Sequence, residues 1–161
     1  MGLIFGLNGY GKLLAGYPIN INDAVVKTGS VATDAENGIK PGDLLVFTDK
    51  FGVYGVVDSV KSASDYTNKI AGICMSDNVK LDTVFPQKGE VAYMPGQGIN
   101  VMTRGAVGVE ITGAAPVPGA PVYYDIANGK FTTVSTSNLA LPNMRFTGQV
   151  DGTLAGVEIL Y

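Results

Sequence analysis

One short segment near the start of the chain has the spacing of a phosphate-binding loop. Residues 6–12 read GLNGYGK, which matches the pattern G-x-x-x-x-G-K, in which backbone N–H groups hold phosphates and the lysine binds the outer ones. The next residue is Leu13, where such a loop needs a serine or threonine to bind magnesium. No full strand precedes the segment and no convincing helix follows it, so we predict that it binds no nucleotide.

The acidic side chains are the other residues that could do chemistry. The chain contains 14 of them, and two that met in space could act as acid and base in glycoside cleavage. Most lie in or beside glycine-rich and proline-rich segments, where aspartate stabilises turns. The sequence identifies no pair that would meet. We therefore expect no catalytic residues and a protein that is not an enzyme.

Residue types that commonly provide catalysis or bind metals are scarce. The chain has no histidine, so the commonest general base and the commonest ligand of catalytic metals are absent. Its single cysteine, Cys74, lies in the apolar run IAGICM, which favours a small buried hydrophobic side chain over a reactive thiol. We predict that the protein uses no cofactor and binds no metal.

Length and charge narrow the class of protein. A chain of 161 residues suits a single domain. The net charge is −3 and no basic cluster is present, which argues against binding to nucleic acid. The first residues lack the basic start of a secretion signal, and their apolar run is too short and too interrupted by glycine to cross a membrane. We expect a protein that is made and used without secretion.

Alternating side chains are clearest in residues 95–111, which read PGQGINVMTRGAVGVEI. Gly105 lies between the two apolar parts of this stretch, and it fits either the tip of a tight hairpin or a kink in one continuous strand. Five apolar residues share one parity, as in a half-buried strand: Ile99, Val101, Val107, Val109 and Ile111.

Short apolar segments separated by turn residues continue on both sides of this stretch. Pro-Gly pairs precede three of them, in KPGDLLVF, MPGQGINV and VPGAPVYY. Asn128 and Gly129 predict a hairpin with a type I′ turn. No amphipathic helix longer than two turns is evident. We predict an all-β fold, which is a compact β-barrel or sandwich of short strands.

Residues 1–20 differ from the rest of the chain. They include eight large apolar side chains from Leu3 to Tyr17 and a total of five glycines, and they follow neither a helical nor a strand period. Eight such groups left in water would form a costly patch. We predict an extended N-terminal arm over residues 1–20 and a single β domain over residues 21–161. The arm either packs on its own domain as an edge element or lies across another subunit or another protein.

The later segments follow one another in a recognisable order. IAGI comes first, then PGQGINVMTRGAVGVEI, then PGAPVYYDIANGKF and the closing MRFTGQVDGTLAGVEIL. This order resembles that of the head decoration, or capsid cement, proteins of tailed bacteriophages. One difference is visible, because that family often has a bulky aromatic residue in the strand after Arg-Gly, where this chain has Gly108.

The resemblance implies a structural virion protein that binds the outer capsid surface and stabilises the shell. It implies the major capsid protein and sister subunits, commonly in a trimer, as partners, and synthesis in the cytoplasm of the host bacterium. A glycan-binding or adhesive β module on a virion or cell surface is the alternative, because tyrosine is the commonest aromatic residue of the chain. The candidate residues of a protein interface are Leu3, Ile4, Phe5, Leu7, Tyr10, Leu13, Leu14, Tyr17 and Arg104.

Overall fold

The computed structural model describes residues 13–76 and 92–160, with the backbone alone for residues 20–23. Strands dominate this part of the chain, and a single-turn 3-10 helix lies over Ala63–Tyr66. This confirms the predicted all-β fold. The strands are β1 (Pro18–Val31), β2 (Leu44–Phe47), β3 (Val53–Val56), β4 (Ile70–Cys74), β5 (Gly98–Glu110), β6 (Pro121–Asp125), β7 (Lys130–Thr132), β8 (Leu139–Asp151) and β9 (Leu154–Ile159).

Five of the strands close into a barrel. Their order is β1-β3-β2-β4-β5, and β5 pairs in turn with β1. The β1–β3 pair is parallel and the other four pairs are antiparallel. The β1–β5 ladder extends from Pro18 opposite Val107 to Ser30 opposite Gly98, and register shifts interrupt it. Such shifts bend a strand, which allows β1 to follow the curved wall of the barrel.

The remaining strands form a second ring that shares β5 with the barrel. From β5 the sheet continues through β9, β8, β6 and β7, and all of these pairs are antiparallel. Ile111, which follows β5, forms a bridge to Phe131 of β7. Thr112 then donates its N–H to the carbonyl oxygen of Phe131 at 2.9 Å. These contacts bring the two ends of the second sheet together.

Gly105 is a kink within one continuous strand. β5 runs from Gly98 to Glu110, and Gly105 has a φ of +121°, which strongly favours glycine. On its N-terminal side β5 pairs with β4, and from Gly105 onward it pairs with β9. The hairpin alternative is therefore wrong. Gly105 is the corner at which β5 passes from the barrel to the second ring.

The buried side chains of β5 are divided between two hydrophobic cores. Ile99 and Val101 pack in the core of the barrel. Met102, Val107 and Val109 pack in the other core, which contains the side chains of the second ring and some from β2 and β4, although Met102 has the opposite parity. Alternate residues of a regular strand face opposite sides, so the change of parity marks the bend at Gly105. The apolar residues of this stretch are buried as the pattern predicts, but in two cores and not on one face.

Strands β6 and β7 form the predicted hairpin with a longer connection. β6 ends at Asp125 and β7 begins at Lys130, so residues 126–129 form the loop. The Asp125 carboxylate accepts hydrogen bonds from the backbone N–H of Asn128 at 3.2 Å and from its side-chain amide at 2.6 Å. These side-chain bonds stabilise a loop of this length. The hairpin is confirmed, whereas the two-residue turn is wrong.

Candidate interaction surface

The first described residues attach the N-terminal segment to the second ring. Leu13 is buried in a small cluster with Ile19 and Ala106. Its N–H donates a hydrogen bond of 3.1 Å to a carboxylate oxygen of Asp151, at the turn between β8 and β9. Leu13 is therefore fixed to the body of the protein beside this turn.

Residues 14–17 cross β5 at Gly108. Gly16 donates its N–H to the carbonyl oxygen of Gly108 at 2.9 Å, and Gly108 donates its N–H to that of Tyr17 at 3.1 Å. A Cβ atom on residue 108 would lie 2.4 Å from the carbonyl oxygen of Leu14. Glycine is required here because the backbone of another segment occupies the place of a side chain. This explains why an aromatic residue is absent from this position of β5.

The described interface candidates lie in different environments. Leu13 is buried, Tyr17 is half-buried and Leu14 is 38% exposed. Arg104 is exposed on β5, opposite Val25 of β1. Leu13 thus packs within the protein itself, whereas Leu14 and Arg104 are accessible to a partner. Their role in an interface stays a prediction, and the other candidates lie outside the described residues: Leu3, Ile4, Phe5, Leu7 and Tyr10.

Acidic side chains line a groove of about 760 Å³ beside the β2–β3 hairpin. Those with described hydrogen bonds stabilise turns, since Asp58 accepts the N–H of Val60 at 2.9 Å and Asp65 accepts the N–H of Ser62 at 2.9 Å. The backbone and hydroxyl bonds from Ser62 lower the pKa of Asp65. The carboxylates of this groove are exposed, so none is desolvated in the way that a general acid requires: Asp34, Glu36, Asp49, Asp58 and Asp65.

Two buried groups with mobile protons are held in their neutral forms. Cys74 lies in the barrel core, as predicted, and burial raises the pKa of its thiol. Burial also raises the pKa of Tyr124, whose ring packs edge-on against Phe131 with 5.1 Å between ring centroids. Because a protonated thiol is a poor nucleophile, Cys74 is suited to packing and not to covalent catalysis.

The described tyrosines are mostly occupied in packing. Sugar-binding sites commonly present an exposed aromatic face, on which a sugar ring stacks. Within residues 13–76 and 92–160 no tyrosine is fully exposed. Four are buried and two are half-buried: Tyr54, Tyr66, Tyr93 and Tyr124 in the first group, and Tyr17 and Tyr123 in the second.

The described residues contain neither a metal-binding cluster nor a membrane-spanning helix. Cysteine, aspartate and glutamate side chains nowhere gather there in a group of three that could hold a metal ion. In the same part of the chain, no helix has the length and apolar character needed to cross a membrane. The described surface carries exposed apolar side chains, among them Val25, Val26 and Phe51.

One protein family matches almost the whole chain. It is described as structural cement protein (E217 gp24/Pam3 gp6), and its profile covers residues 5–160. The chain belongs to this phage cement family. No curated protein sequence matches it.

A solved structure shares the fold as well. The chain resembles a protein from the capsid of Myoviridae phage XM1, with a TM-score of 0.70 and 25% sequence identity over 95% of this chain and 93% of that one. The family predicted from the order of turns and strands is thereby confirmed. The protein has a structural role in decorating a phage capsid.

Proposed function

We propose that this protein binds the outer surface of the phage shell, contacts the major capsid protein and clamps adjacent shell subunits together. The observation that carries the proposal is the cement-family match over residues 5–160. We also propose that the protein is not an enzyme, binds neither nucleic acid nor a membrane, and is synthesised in the cytoplasm of the host bacterium.

The described body is suited to a mechanical role. Two rings share β5, and each has a core of interlocking apolar side chains. Of the polar and charged side chains described, Thr132 alone is buried. A close-packed core of this kind contains no buried unpaired charge that would weaken it. It can therefore transmit mechanical strain between the subunits that the protein contacts.

We assign the first contact with the shell to the N-terminal arm, residues 1–20, and the clamp to the β domain, residues 21–161. The arm is apolar, and its residues 13–17 are held on the body by the burial of Leu13 and the hydrogen bonds to Gly108. If it buried about 500 Å² of apolar surface, the gain would be roughly 12 kcal/mol. Ordering the arm offsets most of this, at about 1–2 kcal/mol for each residue that becomes fixed. Each copy then binds modestly, which favours a trimer whose three arms bind together.

Deletion of residues 2–11 tests the role of the arm and retains Leu13 in its cluster. We expect binding to decoration-free shells to weaken by about 30-fold or more, since losing one large apolar anchor costs about 2 kcal/mol. The measurement is the amount of protein that sediments with shells as its concentration is raised. The melting temperature of the free protein should change little, because the anchor at Leu13 remains.

A variant of full length serves as the matched control. Serine at Leu3, Ile4, Phe5, Leu7 and Tyr10 keeps the arm but removes its apolar groups, and it should bind as weakly as the deletion. Wild-type affinity in either variant would show that the arm is not the contact. Failure of the wild-type protein to bind shells at all would contradict the proposed function itself.

A further inference from the structure

The two edges of β1 have different partners. One edge pairs with β5 along most of its length. The other edge, here called the outer edge, pairs with β3 only at Ser30 and Val31. There Ser30 donates its N–H to the carbonyl oxygen of Gly52 at 2.9 Å, and Ala32 donates to that of Tyr54 at 2.9 Å. The parallel ladder begins at Ser30, and no described strand lies beside the outer edge before it.

The orientation of the backbone shows which N–H and C=O groups of β1 point toward the outer edge. Successive N–H and C=O groups of a strand point to opposite edges. Val31 donates its N–H to the carbonyl oxygen of Gln97, next to β5, and the register is unbroken from Val26 to Ser30, so the odd-numbered residues of this stretch face β5. Val26 and Thr28 have the parity of Ser30. Their N–H and C=O groups therefore project from the outer edge.

The side chains around this edge are open to solvent and partly apolar. Val25 and Val26 are 43% and 44% exposed, and Lys27 and Thr28 are also exposed. Phe51, at the tip of the β2–β3 hairpin, is fully exposed and adjoins Gly52, the residue that binds Ser30. Free edges are usually short, covered or blocked by charge or proline. An uncovered edge flanked by apolar side chains is a surface that another strand can extend.

The charges around the outer edge are mostly positive. Lys27 on β1, Arg104 on the adjoining β5 and Lys50 at the hairpin tip are all exposed. In the flanking residues 23–31, 48–52 and 98–104, these three cations outnumber the two carboxylates, which are Asp23 and Asp49. If two copies paired through this edge in antiparallel fashion, their Lys27 side chains would come close together, which is unfavourable. The charge therefore suits a different chain that carries carboxylates.

We propose that the outer edge of β1, residues 24–28, receives an extended segment of the shell protein that carries apolar and acidic side chains. The segment adds a strand to the barrel through the N–H and C=O groups of Val26 and Thr28. Its apolar side chains contact Val25, Val26 and Phe51, and its carboxylates contact the surrounding cations. This inference rests on the proposed function and specifies how the β domain, as distinct from the arm, contacts the shell.

Thr28→Pro tests the pairing directly. Proline removes the outward N–H of residue 28 and leaves the N–H of Lys27, which faces β5, in place, and an edge strand tolerates proline. We expect binding to decoration-free shells to weaken about tenfold, from one lost hydrogen bond and the obstruction by the ring. Thr28→Ala is the matched control because it keeps the N–H, and it should bind like the wild-type protein.

Lys27→Glu provides a second variant that does not alter the backbone. It should bind shells more weakly, and the difference from the wild-type protein should shrink as salt is added.

Wild-type affinity in Lys27→Glu, or in folded Thr28→Pro, would overturn the inference and leave the proposed function intact. A change in the oligomeric mass of Thr28→Pro by sedimentation would also overturn it, because the edge would then pair with a second copy. Wild-type protein that fails to bind shells contradicts the proposed function instead.

Discussion

Replacing Phe131 by alanine is expected to lower the free energy of unfolding by about 3–5 kcal/mol. The ring is 1% exposed in the core of the second ring of strands, where it packs against Tyr124. Its backbone also closes that ring through the bridge to Ile111. The substitution removes a large apolar group and leaves a cavity that the surrounding strands cannot fill without moving.

Urea denaturation followed by circular dichroism measures this effect, and Phe51→Ala is the matched control. Phe51 is fully exposed at a hairpin tip, so its removal should change the unfolding free energy by less than about 0.5 kcal/mol. If the two substitutions destabilised the protein equally, the second ring would not be a packed core. Phe51→Ala should instead weaken binding to shells, since Phe51 adjoins the outer edge of β1.

Gly108→Ala is expected to cost about 2–3 kcal/mol, which is large for the addition of one methyl group. The new Cβ atom would lie 2.4 Å from the carbonyl oxygen of Leu14, and backbone atoms of a crossing segment cannot rotate away as a flexible side chain can. Residues 14–17 would have to lift from β5. The two hydrogen bonds between that segment and Gly108 would then lengthen or break.

Gly98→Ala, in the same strand, separates this clash from the general effect of replacing glycine. A Cβ atom at residue 98 would have 3.9 Å to its nearest neighbour outside the adjacent residues, so this variant should be at least as stable as the wild-type protein. Limited proteolysis adds a second measurement, because only Gly108→Ala should be cut faster within residues 13–17. Equal stability of the two variants would mean that the crossing at Gly108 does not contribute to the fold.

Local patterns predicted the strands whose boundaries are set by short-range chemistry. The Pro-Gly pairs, the alternation in residues 95–111 and the Asn128–Gly129 hairpin all rest on neighbours in sequence. β8 shows where local patterns fail, because this strand of 13 residues contains Pro142 and Gly148, which usually mark the end of a strand. Register shifts in the pairing of β8 accompany both residues, so the strand bends there without ending.

The sequence could not show which distant strands lie next to one another in the two rings. Whether Gly105 was a hairpin tip or a kink depended on which strands lie beside β5, and those partners are far away in the chain. The requirement for glycine at residue 108 likewise depends on the crossing of residues 14–17, which no periodicity indicates. That no described strand lies beside the outer edge of β1 before Ser30 could not be predicted either, because a strand pattern does not reveal how far each neighbour extends.

The interface candidates divide in the same way. The apolar content of residues 1–20 predicted a segment that needs a partner, but it did not distinguish Leu13, which is buried in its own body, from Leu14, which is exposed. Arg104 lies opposite Val25 of β1, beside exposed apolar side chains that the sequence alone did not bring together. Side chains on neighbouring strands form one surface only after the register is known.

The thermal stability of phage shells with and without bound protein tests the central claim most directly. A ligand that binds the assembled shell and not its separated subunits must raise the temperature at which the shell comes apart. We predict that saturating wild-type protein raises this temperature, with the N-terminal deletion giving a smaller rise at the same concentration. Shells that bind the protein to saturation and still come apart at the undecorated temperature would contradict the account.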